Sequence, residues 1–134
     1  MNRILIIEDN PADVFLMKEA LRSAGLTDHV LEIAEDGEEA ISRLKGDHSQ
    51  RWSLVILDLN LPKGGGAEIL EVIRGDPKLS ETLVVTWTSS VAPTEREELL
   101  GLGVDEHLIK PMRLEEYIRI GATLRNLMEA RHHA

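Results

Sequence analysis

The feature that most constrains this chain is the run Leu54-Val-Ile-Leu-Asp58-Leu-Asn-Leu-Pro62. Four apolar residues, Val and Ile among them, pass without a polar break; then come an acid and a Leu-Pro turn. A continuous apolar run of this kind reads as a strand buried on both faces of a parallel sheet. It breaks off at Asp58, and the carboxyl end of a central parallel strand is where open α/β sheets place their chemistry.

The same unit recurs on either side. Arg3 to Glu8 reads as a first strand, and Asn10-Pro11 opens a helix, with Pro in the first turn and Asn10 or Asp9 as cap. Met17, Ala20, Leu21 and Ala24 recur at helical spacing, and Gly25 ends that helix. Val30 to Ala34 is a short strand; Asp36-Gly37 leads to a helix carrying Ala40, Ile41 and Leu44. After the central strand, Lys63-Gly-Gly-Gly66 is a flexible connection, and Ile69, Leu70 and Ile73 mark a third helix that Gly75-Asp-Pro77 closes. Thr82 to Thr88 is a fourth strand. Pro93-Thr94 opens a fourth helix, Thr94 and Glu97 have capping-box spacing, and Gly101 and Gly103 end it. Glu106 to Ile109 is a fifth strand, stopped by Lys110-Pro111, and Leu114, Tyr117, Ile118, Leu124 and Met128 stripe a final helix.

Five β-α units in succession imply an α/β fold: a doubly wound five-stranded parallel sheet with helices on both faces. Of the possible strand orders, the flavodoxin-like 2-1-3-4-5 is favoured for a sheet of this size. The 134 residues suit a single domain, with a core over about 3–130 and no output domain. The chain has no cysteine, which excludes disulfides and thiolate chemistry. Its net charge of -9 opposes binding to nucleic acid or anionic membrane. No apolar run approaches the ~20 residues of a membrane span, and the start lacks a signal-peptide pattern, so a cytoplasmic location is expected. His132-His133 reads as a solvated tail.

In that strand order Glu8, Asp9 and Asp58 share one edge of the sheet. Three carboxylates there repel one another unless a cation or a proton intervenes. An all-oxygen set suits Mg²⁺. Lys110, after strand 5, adds a positive charge, and Thr88, ending strand 4, adds a hydroxyl. These are the parts phosphoryl transfer needs, with Asp58 as the nucleophile that becomes an aspartyl-phosphate. Each residue also has a plain structural role: Glu8 and Asp9 favour a helix dipole, Asp58 suits a turn, Thr88 suits a strand and Lys110 suits a surface. Those roles do not account for all of them falling at strand ends. Two rivals remain. A Mg²⁺-dependent phosphatase would use a strand-end Asp, but its motif wants a second acid where Asn60 stands, and the chain is short for a cap domain. A binding module that never meets phosphate would not need the acid, Thr and Lys set. Lys63-Gly-Gly-Gly66 lacks the spacing of a phosphate-binding loop.

Glu8-Asp9 after strand 1, Asp58-Leu-Asn-Leu-Pro62 after strand 3, Thr88-Ser89 after strand 4 and Lys110-Pro111 after strand 5 together resemble the receiver domain of two-component response regulators. The phrase Asp58 to Lys63 followed by glycines is most similar to the single-domain regulators that partner bacteriophytochromes. The resemblance implies that Asp58 is phosphorylated by a sensor histidine kinase. It implies that Asp9 and Asp58 bind Mg²⁺ directly with the main-chain carbonyl of Asn60, and that Glu8 acts through water. Lys110 would pair with phosphoryl oxygens, the Thr88 hydroxyl would move to them, and the Lys110–Pro111 peptide would be cis. Enzymatic activity would be limited to this self-directed transfer and its reversal by hydrolysis. Three positions depart from the pattern: His107 stands where many receivers carry a switch Tyr or Phe, Gly65 replaces a common acid, and Trp87 is large for its place. His107 is either a strand-edge histidine or a switch that would respond to pH. The face made by the fourth helix, the fifth strand and the final helix is the expected readout. Ile120 and Leu127, off the main stripe of that last helix, are either part of a wider buried stripe or a homodimer or partner surface; Phe15 on the first helix raises the same question with less force.

Overall fold

The computed structural model describes residues 3–26, 28–46, 51–61, 65–89, 97 and 100–133. Five strands, β1 (Arg3–Ile7), β2 (Val30–Ala34), β3 (Trp52–Asp58), β4 (Leu83–Thr88) and β5 (Glu106–Ile109), form one parallel sheet in the order β2-β1-β3-β4-β5. The helices are α1 (Pro11–Ser23), α2 (Gly37–Lys45), α3 (Gly66–Gly75) and the C-terminal α4 (Leu114–His133), with a 3-10 turn at Pro77–Leu79. Where the sequence predicts a further helix, Glu97, Leu100 and Gly101 are helical; Pro93 and Thr94 lie outside the described residues, as do Pro62, Lys63 and Gly64.

Alternation along the strands sorts the core into two halves. Leu5, Ile7, Val55, Leu57 and Val84 point to one face and meet Ala40, Leu44, Ile69, Leu70 and Ile73 of α2 and α3. Ile4, Ile6, Leu54, Ile56, Leu83, Val85 and Trp87 point to the other and meet Met17, Ala20 and Leu21 of α1 and Tyr117, Ile120, Leu124 and Met128 of α4. Burying both faces explains why β3 has no exposed residue.

The start of α1 is pinned as the sequence predicts. Asn10 Oδ1 accepts from the amides of Ala12 and Asp13, and Pro11 fills the first turn. The helix packs on α4 at very short range: a Cβ added to Gly121 would lie 2.2 Å from the Ala20 carbonyl oxygen. That contact decides which face of α4 is buried. Ile120 is buried and Leu127 packs against the same core, so the wider buried stripe is correct for both. Leu114 and Ile118, placed in the stripe by their spacing, are instead exposed. At the start of α3, Gly65 takes a left-handed conformation with φ of 93°, which a side chain at that position would resist.

Candidate functional site

Strand register carries the site. Ile7 pairs with Leu57, Asp58 with Trp87 and Thr88 with Ile109. Glu8 therefore emerges beside Asp58, and Lys110 emerges just past the end of β4. Parity does the rest. Glu8 continues the alternation of Ile4 and Ile6, and Asp58 that of Leu54 and Ile56, so both lean toward α1 and α4. Trp87 faces the same side from β4, as does Leu108 from β5, and Lys110 follows Leu108 in phase.

The outcome is a buried ion cluster. Glu8 and Asp58 are 1% and 2% exposed. The Lys110 ammonium lies 2.7 Å from Glu8 Oε1, 3.0 Å from Asp13 Oδ2 and 3.4 Å from Asp58 Oδ2. Its stem is anchored by the Lys110 amide, which donates to the Thr88 carbonyl at 2.7 Å. Asp58 Oδ1 accepts from the amide of Asn60 at 2.9 Å, and Glu8 Oε2 accepts from the amide of Asn10 at 3.1 Å. Asp9 sits exposed at the rim, and one ligand oxygen each from Glu8, Asp9 and Asp58 lie within 4.8 Å of one another. The buried Thr88 hydroxyl accepts from the side-chain amide of Asn60.

Electrostatics follow from that crowding. Burial pushes the Glu8 carboxyl up to about 7, the Asp58 charge adds to it, and Lys110 opposes it. Burial also works against the Lys110 charge, but hydrogen bonds to Glu8 and Asp13 and the nearby carboxylates outweigh it and hold Lys110 above its ordinary value. The set carries more negative than positive charge, its donors are all oxygen, and they span a volume suited to a small hard cation.

All the residues read as a site, Glu8, Asp9, Asp58, Asn60, Thr88 and Lys110, converge on this edge. One expectation does not hold. There is no cis peptide among the described residues, so Lys110–Pro111 is trans, the isomer favoured for X–Pro bonds by about 0.5–1 kcal/mol in the absence of other constraints. His107 lies on β5, the edge strand, as its plain reading has it. It is buried, with Nδ1 2.6 Å from Thr86 Oγ1. Trp87 also has a physical reason for its size. Its ring underlies the Lys110 ammonium at 4.8 Å and meets Tyr117 edge-on at 6.1 Å. Sequence reasoning missed Asp13. Its one signal was its place in the first turn of the helix that Asn10 caps, just after the acids.

Residues 4–120 match the family model of the response regulator receiver domain. The chain is 35% identical to the response regulator Rcp1 of Synechocystis over 121 residues, 87% of this chain and 82% of that protein. It is 34% identical to the transcriptional regulatory protein TrcR of Mycobacterium tuberculosis over 131 residues, 98% of this chain but 47% of that protein. Among solved structures, the phosphorylated cyanobacterial phytochrome response regulator RcpA superposes with a TM-score of 0.80 at 31% identity, covering 95% of this chain and 93% of that one. The Mn²⁺-bound form of Rcp1 superposes with a TM-score of 0.76 at 32% identity, covering 93% and 92%. Sheet order and these likenesses agree, and the chain belongs to the response regulator receiver domain family.

Proposed function

We propose that this receiver domain accepts a phosphoryl group on Asp58 from the phosphohistidine of a sensor histidine kinase. The observation that carries the reading is the meeting of Glu8, Asp9 and Asp58 with the Lys110 ammonium at one sheet edge, although about fifty positions separate the acids in sequence. An Asp58 carboxylate oxygen attacks phosphorus, the phosphorus–nitrogen bond breaks, and the imidazole leaves with its electron pair. The Asn60 amide fixes one oxygen of Asp58 and leaves the other toward Lys110. Lys110 pairs with the incoming phosphoryl oxygens, and the Thr88 hydroxyl, now engaged by Asn60, turns to donate to them. The donor set suits Mg²⁺, which Asp9, Asp58 and the main-chain carbonyl of Asn60 would hold with help from Glu8, and which would supply neutralising charge to the phosphoryl oxygens.

The likeness to Rcp1 and RcpA makes a phytochrome-type kinase the first partner to try. Beside the acids lies a cavity of about 270 Å³ that Glu8, Asp9, Phe15, Lys18 and Ile33 line, and Phe15 is 60% exposed there. Readout runs through the face of β5 and the start of α4, where Ile109, Met112, Leu114 and Ile118 are exposed. That face is the surface for a partner or a second copy of the chain, and light scattering with and without phosphodonor distinguishes the two. No described helix is long and apolar enough to cross a membrane, which is compatible with the cytoplasmic location a kinase substrate requires. The test is transfer of labelled phosphate from an autophosphorylated histidine kinase. Wild type takes up label and Asp58→Asn takes up none; label retained by the variant excludes Asp58 as acceptor.

A further inference from the structure

Lys110 is closer to two other carboxylates than to the proposed phosphoryl acceptor. Its ammonium has three hydrogens and three carboxylates in reach, and Asp58 at 3.4 Å is the farthest of them. Glu8 and Asp13, both from the β1–α1 side, draw it toward α1 and over the Trp87 ring. Asp13 is delivered rigidly. It lies in the first turn of α1, and its own amide donates to the capping oxygen of Asn10. Lys110 is rigid at its backbone through the bond to Thr88. Between two fixed anchors, only the lysine side chain is free to swing.

We propose that Asp13 is a positioning residue that holds the Lys110 ammonium back from Asp58 until a phosphoryl group draws it away. The inference rests on Asp58 being the phosphoryl acceptor. A phosphoryl group brings nearly two negative charges and three acceptor oxygens to Asp58. To pair with them Lys110 leaves Asp13, so the strength of the Asp13 contact opposes uptake. No bond is made or broken by Asp13 itself; its carboxylate passes to solvent, to which its side chain is 23% open. The same movement changes where the ammonium lies over the Trp87 ring, which packs against Tyr117 of α4. The burial of Tyr117 and the charge of Asp13 together push its hydroxyl up to about 12, in keeping with a carboxylate close to that ring. One carboxylate on α1 thus touches the lysine that answers phosphorylation and borders the helix that packs on α1.

The test compares Asp13→Asn, which removes the charge, with Asp13→Glu, which keeps it. Two quantities are read: the NMR resonance of the Trp87 indole N–H in the resting, metal-free protein, and the initial rate of phosphoryl uptake from acetyl phosphate at saturating Mg²⁺. In Asp13→Asn the Trp87 resonance should shift while that of Trp52 stays in place, and uptake should quicken by roughly fivefold. Asp13→Glu should restore both toward wild type. An unmoved Trp87 resonance with unchanged or slower uptake in Asp13→Asn overturns the proposal, as does a Glu variant that behaves like the Asn variant. If the wild type itself takes up no phosphate, the acceptor assignment fails instead, and the resting Trp87 resonance still decides whether Asp13 holds Lys110.

Discussion

The two ends of the sheet treat charge in opposite ways. At the amino end, Asp105 precedes β5 and meets two guanidiniums: Arg131 at 2.8 Å on one oxygen and Arg74 at 3.0 Å on the other, where the Val84 amide also donates. At the carboxyl end, one ammonium serves Glu8, Asp13 and Asp58, with Asp9 close by. The first carboxylate has more positive charge than it needs, and its role is to tie α3, α4 and the strands together. The carboxylates at the other end have too little, and that deficit is what a bound cation can meet. Folding alone has no need to gather repelling acids in a buried place; binding does.

This contrast is open to experiment. The largest effect should come from Asp9→Asn, which removes an exposed carboxylate of the acid-rich end. Mg²⁺ affinity should fall about tenfold or more, since the loss of even an outer-shell partner costs 10–100-fold at metal sites. Calorimetric titration measures it, and an unchanged affinity would mean that the deficit is not a metal site. Wild type should gain about 2.7 kcal/mol of stability at Mg²⁺ a hundredfold above its dissociation constant, and the variant much less at the same concentration. At the other end, Asp105→Asn should cost about 2 kcal/mol in urea unfolding, because it weakens two ion pairs and a backbone hydrogen bond that are only partly solvated. It should leave Mg²⁺ affinity as it was.

The smallest effect concerns Glu32, another well-paired acid. The Arg3 guanidinium beside it, with help from Arg43, holds its carboxyl below the ordinary carboxylate value. A depressed folded value means that the pairing contributes its full stability above the unfolded value, near 4.5, and loses it as pH falls through the folded one. Glu32→Gln should therefore lose about 1 kcal/mol at neutral pH and show a shallower decline in stability below pH 4.5. A variant that matches wild type at neutral pH would assign the pairing no net contribution.

The sheet and the acids were legible in the sequence because continuous apolar runs mark buried parallel strands, and each such run stops at a polar residue. The trans Lys110–Pro111 bond was not, since an X–Pro dipeptide permits either isomer and its neighbours decide. The buried face of α4 was not legible either. Leu114 and Ile118 fit a helical stripe as well as Ile120 and Leu127 do, and only the close approach of Gly121 to Ala20 chooses between them. Asp13 escaped notice for a similar reason. Its importance depends on which way α1 turns against β5, and that orientation is a property of packing. Trp87 looked oversized until Lys110 and Tyr117 were seen to cover its ring.

The central claim is that the crowded acids at the carboxyl end exist to let Asp58 take a phosphoryl group. Intact-mass measurement after incubation with acetyl phosphate and Mg²⁺ tests it most directly, on wild type, Asp58→Asn and Asp105→Asn side by side. The account predicts one phosphoryl adduct on wild type and on Asp105→Asn, and none on Asp58→Asn. An adduct that survives in Asp58→Asn, or a wild type that stays unmodified, would contradict it.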